Sequence, residues 1–180
     1  GGDGRSDQLA ALLDLAALGT IADYVPLVHE NRTLAALGAP RLVRGDRLGL
    51  KRLCKATGTK KATPEEIARR LIPRLNASGR LGDPSAAWHL LRADLDGSAE
   101  AYLSAVESAH ATTKQLYRSI MAQAQEQVNR LHFRDQFVLV VSRAGWHPGL
   151  MGPIASQLAQ QYERPAIALA LDETQGTGSG

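Results

Sequence analysis

Thirty-four consecutive residues, Ser98 to Leu131, contain neither glycine nor proline. Within them Leu103, Val106, His110, Thr113, Tyr117, Ile120, Ala124 and Val128 recur at steps of three and four, one narrow stripe along an α-helix. An unbroken helix of that length would run about 50 Å, more than one small domain requires. The spacing therefore predicts a helix that joins two lobes, and the residues on its two sides read differently.

Before it lie several short helices. Ser6 or Asp7 can cap one running through Leu9, Leu12, Leu13, Ala16 and Ala17, stopped by Pro26 or giving way to an extended exit there. A second runs from near Glu30 to just before Gly45. Thr63-Pro64-Glu65-Glu66 has the cap, first-turn proline and capping-box acid of a third, which Pro73 should kink or end. Asp83-Pro84 opens a fourth, through Trp88, Leu90 and Leu91. After the long helix, Phe137 to Val141 reads as a buried strand, followed by a glycine-bearing loop and a helix through Ile154, Leu158 and Tyr162. Ala166 to Leu171 is another strand, so strand, helix, strand predicts a parallel βαβ unit. The fold class is α/β.

Composition narrows the function classes. With 180 residues, 44% apolar and 22% charged, the chain is globular and long enough for one or two cores. No apolar run reaches the roughly 20 residues of a membrane span, and no signal-peptide pattern opens the chain. One cysteine, Cys54, excludes an internal disulfide and a multi-cysteine zinc site. It reads as a core thiol, in a reducing, cytoplasmic setting. The chain opens on Gly-Gly-Asp-Gly and closes on Gly-Thr-Gly-Ser-Gly, and we expect it to be an internal portion of a longer protein. Its formal charge of +3 is unevenly spread: residues 41–80 carry +9, residues 98–180 carry −1. Focused positive charge suits a polyanion-facing surface, and solvated helix faces would produce the same run.

Three stretches could carry chemistry. Leu18-Gly19-Thr20-Ile21-Ala22-Asp23 sets a carboxylate where an apolar helix runs out, so it calls for a cation, a cap or a metal. Asp14, nine residues earlier, falls on the opposite side of the same helix and reads as structural. Arg74-Leu75-Asn76-Ala77-Ser78-Gly79-Arg80 brackets an amide, a hydroxyl and a glycine with two guanidinium groups. That combination matches phosphate, as does an ordinary exposed turn with surface arginines. Trp146-His147-Pro148-Gly149 lies where the first strand ends and a helix begins, a common ligand position in open α/β sheets. Trp146 could stack on a base and His147 reach a phosphate; a packed tryptophan in a tight turn is the plainer reading. The glycine-rich tail could cradle phosphate through backbone donors.

Taken in order, these segments resemble the RecJ family of single-strand-specific exonucleases, within the DHH phosphoesterase superfamily. The resemblance rests on Ala17-Leu18-Gly19-Thr20-Ile21-Ala22-Asp23-Tyr24-Val25-Pro26-Leu27, Glu30-Asn31-Arg32-Thr33-Leu34, Pro73 to Leu81, and Trp146 to Ala155. It implies the C-terminal part of a DHH domain over 1–97, a connecting helix over 98–132, and the start of a small α/β DHHA1 domain over 133–180. DNA is expected in the cleft between the two. It also implies hydrolysis of single-stranded DNA from a 5′ end with Mn²⁺ or Mg²⁺ in a two-metal site, in DNA repair and recombination. A single-strand-binding protein or a helicase is an expected partner, and a membrane is not. Asp23 then matches a metal-ligand aspartate. Arg74, Asn76 and Arg80 match a motif near the scissile or terminal phosphate. Trp146, His147 and Gly149 match the DHHA1 motif facing the strand, and Gly178 and Ser179 the start of its glycine-rich loop. Asp-His-His is absent from the sequence, so these residues alone are expected to be inactive. Two other readings remain open: a DHH/DHHA1 phosphodiesterase of short oligonucleotides or cyclic dinucleotides, and a non-catalytic nucleic-acid-binding relative.

Overall fold

The structure, a computed structural model, describes residues 3–130, 137–172 and 176–179. They divide into two compact units, Gly1–Gly79 with Asp83–His110, and Arg80–Gly82 with Ala111–Gly180.

In the first unit, α1 (Asp3–Ala10), α2 (Leu13–Ala22), α3 (His29–Arg44), α4 (Leu48–Thr57), α5 (Pro64–Arg70), α6 (Ile72–Arg80) and α7 (Ser85–Arg92) follow one another, and α8 (Asp96–Asn129) contributes its first half. The helix expected to run through Leu9 to Ala17 is broken at Ala11 and Leu12. Arg47 takes up the break: Nη2 donates to the Ala11 carbonyl (3.3 Å), and Nε donates to Oδ2 of buried Asp14 (3.0 Å). The carbonyl freed by the break is thereby satisfied. Gly45, in the left-handed region at φ 75°, ends α3 by donating its N–H to the Arg41 carbonyl. Thr63 accepts the Glu66 N–H (3.3 Å) and Pro64 opens α5, as the capping pattern predicts. Pro73 does more than end a helix. α5 stops at Arg70, and Pro73 sits in the first turn of a new helix, where its missing N–H costs nothing.

Leu42, Leu50, Leu53, Ile67, Leu71 and Leu90 fill the first core. Cys54 belongs to the same cluster, with its thiol against the Leu42 carbonyl; burial pushes its pKa up to about 11. It therefore stays a neutral thiol at physiological pH. A thiol reagent at pH 8 should leave Cys54 of the native protein unmodified and label it within minutes in denaturant; rapid labelling of the native form would contradict this burial.

The second unit takes the rest of α8, then β1 (Leu139–Ala144), a 3-10 turn (Pro148–Leu150), α9 (Met151–Tyr162), β2 (Ala166–Leu171) and β3 (Gly176–Ser179). β1 and β2 pair in parallel, Leu139 opposite Ala166, and β3 adds antiparallel to β2, so β2 is central. Two expectations are corrected here. The first strand is half-buried: Leu139 and Val141 are fully covered, whereas Phe137 precedes it, exposed, and Val140 points outward. Among the described elements, helix packing covers only one face of this sheet, so side chains alternate between core and surface. The glycine-rich tail, read as loop, supplies a strand. The helix expected over 98–132 runs from Asp96 to Asn129; residues 131 and 132 lie outside the described ones, as do 133–136 and Gly180. Among the described residues no helix is long and apolar enough to cross a membrane.

Candidate functional site

In the first unit, α2 ends on Asp23, whose N–H donates to the Gly19 carbonyl (3.0 Å). Tyr24 follows at φ 54°, an uncommon conformation for a bulky residue, and turns the chain into the extended Val25–Val28 segment. The Asp23 side chain is left in solvent, without an ion pair or hydrogen bond among the described residues. Its oxygens are thus available to a cation. Asp14 has the opposite environment: its carboxylate is enclosed and held by Arg47 and by the Leu15 N–H (2.7 Å). The two acids do not share a site.

The segment Arg74–Arg80 is helical, all of it within α6, rather than an exposed turn. Arg74 is anchored on two sides: Nε pairs with Glu107 (2.6 Å), and Nη1 donates to the Arg70 carbonyl (2.7 Å). The guanidinium is held in one orientation with its remaining N–H groups uncommitted in these two bonds. Asn76 is exposed on the same helix. Ser78, between Arg74 and Arg80, is buried, and its hydroxyl has no hydrogen-bond partner among the described residues. A buried orphan hydroxyl costs about 1–3 kcal/mol, so this position calls for a polar partner that the described residues do not provide.

The positive run also changes meaning. Of its twelve cations, Arg44, Arg47, Arg52, Arg69, Arg70 and Arg74 are ion-paired with carboxylates. Asp46 and Glu66 are already counted in the net +9, and Asp14, Asp96 and Glu107 from outside the run offset a further third of it locally.

In the second unit, Trp146 is buried against the α8–α9–sheet core and donates its ring N–H to Gln123 (2.8 Å). With 5% of its surface exposed, Trp146 packs in this core. What it packs is the turn that follows. His147 is half-buried, and its Nδ1 accepts the Gly149 N–H (3.2 Å). In the neutral ring the proton then sits on Nε2, which is left as a donor. Arg80, counted in this unit by its contacts, donates from Nη1 to the Gly149 carbonyl in a long bond of 3.4 Å. Gly178 lies in β3 opposite Leu169, where a β-carbon would overlap the leucine side chain. Ser179 is within reach of the α9 start: a β-carbon placed on Gly152 would be 3.5 Å from its Oγ. An open cavity of about 640 Å³ lies at the carboxyl ends of β1 and β2, lined by Ala144, Gly145, Trp146, Pro148, Leu171 and Asp172. Structure thus places Asp23, Arg74 and Asn76 in the first unit, and gathers Arg80, Trp146, His147, Gly149, Gly178 and Ser179 in the second.

No family model matches the chain. It is 42% identical over 171 residues to the single-stranded-DNA-specific exonuclease RecJ of Bacillus subtilis, covering 94% of this chain. It is 36% identical over 169 residues to the protein of the same name in Escherichia coli, covering 91%. Among solved structures, RecJ of Thermus thermophilus in complex with Mg²⁺ superposes with a TM-score of 0.82 at 31% identity over 89% of the chain. An exonuclease RecJ bound to manganese gives 0.80 at 29% identity over 95%. A helical unit followed by a small α/β unit, with these motifs in this order, is the arrangement that superposes on those RecJ structures. The chain belongs to the RecJ family. It spans 22% and 29% of the length of those two curated relatives, and 25% and 43% of the two solved chains.

Proposed function

We propose that this chain forms the central part of a divalent-metal-dependent exonuclease that degrades single-stranded DNA from a 5′ end, working in the cytoplasm in DNA repair and recombination. The observation that carries this reading is the open carboxylate of Asp23 at the close of α2, on a chain whose relatives bear the name of that activity. A hard oxygen donor with no partner of its own fits one ligand position of a Mg²⁺ or Mn²⁺ site. Among the described residues no group of three His, Cys, Asp or Glu side chains could complete one. These 180 residues by themselves are therefore expected to be inactive. When bound, the ions would activate water and steady the leaving oxygen.

The chain's own residues bind and orient. Arg74, fixed by Glu107, and exposed Asn76 hold a backbone phosphate. In the second unit, His147 offers its Nε2 proton and Arg80 its remaining guanidinium donors to the strand, on a turn held rigid by buried Trp146. Ser179, beside the α9 start, adds a hydroxyl, and Gly178 keeps that strand close. A single-strand-binding protein or a helicase would deliver the strand.

The test is degradation by the full-length protein with Mn²⁺ of a 5′-phosphorylated single strand and of the same sequence as duplex. Mononucleotides released from the single strand alone are expected. No degradation, or equal degradation of both, would overturn the reading. Activity confined to very short oligonucleotides would assign a short-substrate phosphodiesterase instead.

A further inference from the structure

Both backbone polar groups of Gly149 are already engaged within the protein. Its N–H donates to His147 Nδ1, and its carbonyl accepts from Arg80 Nη1. A β-carbon at this position would overlap the Arg80 carbonyl oxygen, and would lie 2.9 Å from the carbonyl carbon and 3.2 Å from Cα. The atoms met are backbone and not the far end of a flexible side chain, so the contact cannot be relieved cheaply. The Asp83 N–H donates to the Ser78 carbonyl (3.1 Å), closing the turn through Gly82 at φ 104°. The φ of Gly149 is not among the positive values, so conformational freedom is not what requires glycine here. Close approach is what requires it.

We infer that Gly149 is a positioning residue: it acts on the strand through Arg80 and His147, and makes no contact of its own. Its missing side chain lets residues 69 positions apart close on one another. Its N–H and carbonyl then orient the imidazole on one side and the guanidinium on the other. Any side chain at 149 forces the Arg80 backbone and the turn apart, and the bond that orients the guanidinium is lost. This inference rests on the reading that Arg80 holds a strand phosphate.

The discriminating experiment is a double-mutant cycle in the full-length protein, with Mn²⁺ and a 5′-phosphorylated single strand, measuring KM and kcat separately. Gly149→Ala and Arg80→Gln should each raise KM by at least about tenfold with kcat within about threefold, as loss of ground-state binding does. The double variant should be no worse than about twofold beyond either single one, because both changes remove the same contact. Effects that multiply would show that Gly149 touches the strand independently, and a wild-type KM in Gly149→Ala would show that the close approach is unimportant; either overturns the inference. Should Gly149→Ala lose its near-ultraviolet circular dichroism, Arg80→Lys decides. Lysine keeps the charge but not the fork that can hold Gly149 and a phosphate at once, so its KM should fall within about twofold of Arg80→Gln. A wild-type KM there overturns the inference. A wild-type protein that leaves single strands intact overturns the underlying reading, and this inference with it.

Discussion

In the full-length protein, Asp23→Asn should lower Mn²⁺-dependent turnover by at least about a thousandfold, roughly 4 kcal/mol of barrier, while single-strand affinity changes by less than about threefold. Asparagine keeps the shape of the side chain and removes the anionic donor that a hard divalent cation prefers. The fold should not notice, since the side chain is solvated and the α2 end is closed by the backbone N–H of residue 23, which the substitution leaves in place. Exposed substitutions of this type fall within about 0.5 kcal/mol in stability. Turnover and fluorescence-anisotropy binding, measured on the same preparation, check both halves. Unchanged turnover would remove Asp23 from the metal site.

The largest stability effect should come from Arg47→Met. Asp14 is 3% exposed, and Arg47 is its counter-ion. Removing one partner of a buried pair strands the other charge and costs about 3–5 kcal/mol. The Ala11 carbonyl loses its donor as well. Replacing both members, Asp14→Leu with Arg47→Met, should recover most of that loss, because no charge is then left buried. Urea denaturation compares the three proteins. A single substitution costing less than about 1 kcal/mol would mean that water already reaches the Asp14 carboxylate.

Much of the fold was legible because its signals are local. The glycine at 45, the threonine cap at 63 and the glycine-free run that became α8 each act within a turn or two of their own position. Strand, helix, strand around α9 follows from a change in hydrophobic period over residues 137–171. The misreadings share one cause. α1 and α2 separate because Arg47, 33 residues from Asp14, draws in that carboxylate and satisfies Ala11. Which face of β1 is covered depends on where helices pack, which alternation alone does not say. β3 forms because β2 offers a free edge for Gly176–Ser179 to pair with, a choice invisible in a glycine-rich tail.

The candidate site divides in the same way. The order of the motifs, the identity of Asp23 at the end of an apolar helix, and the family follow from the residues alone, since side-chain chemistry and spacing are written in the chain. Tertiary structure decided that Asp23 is open while Asp14 is enclosed, that Arg74 is clamped by Glu107, that Trp146 is packed in its core, and that Gly149 lies against Arg80. Burial and close approach are set by contacts between residues tens of positions apart. Such contacts depend on the path of the folded backbone, and a linear pattern of residue types carries no record of that path.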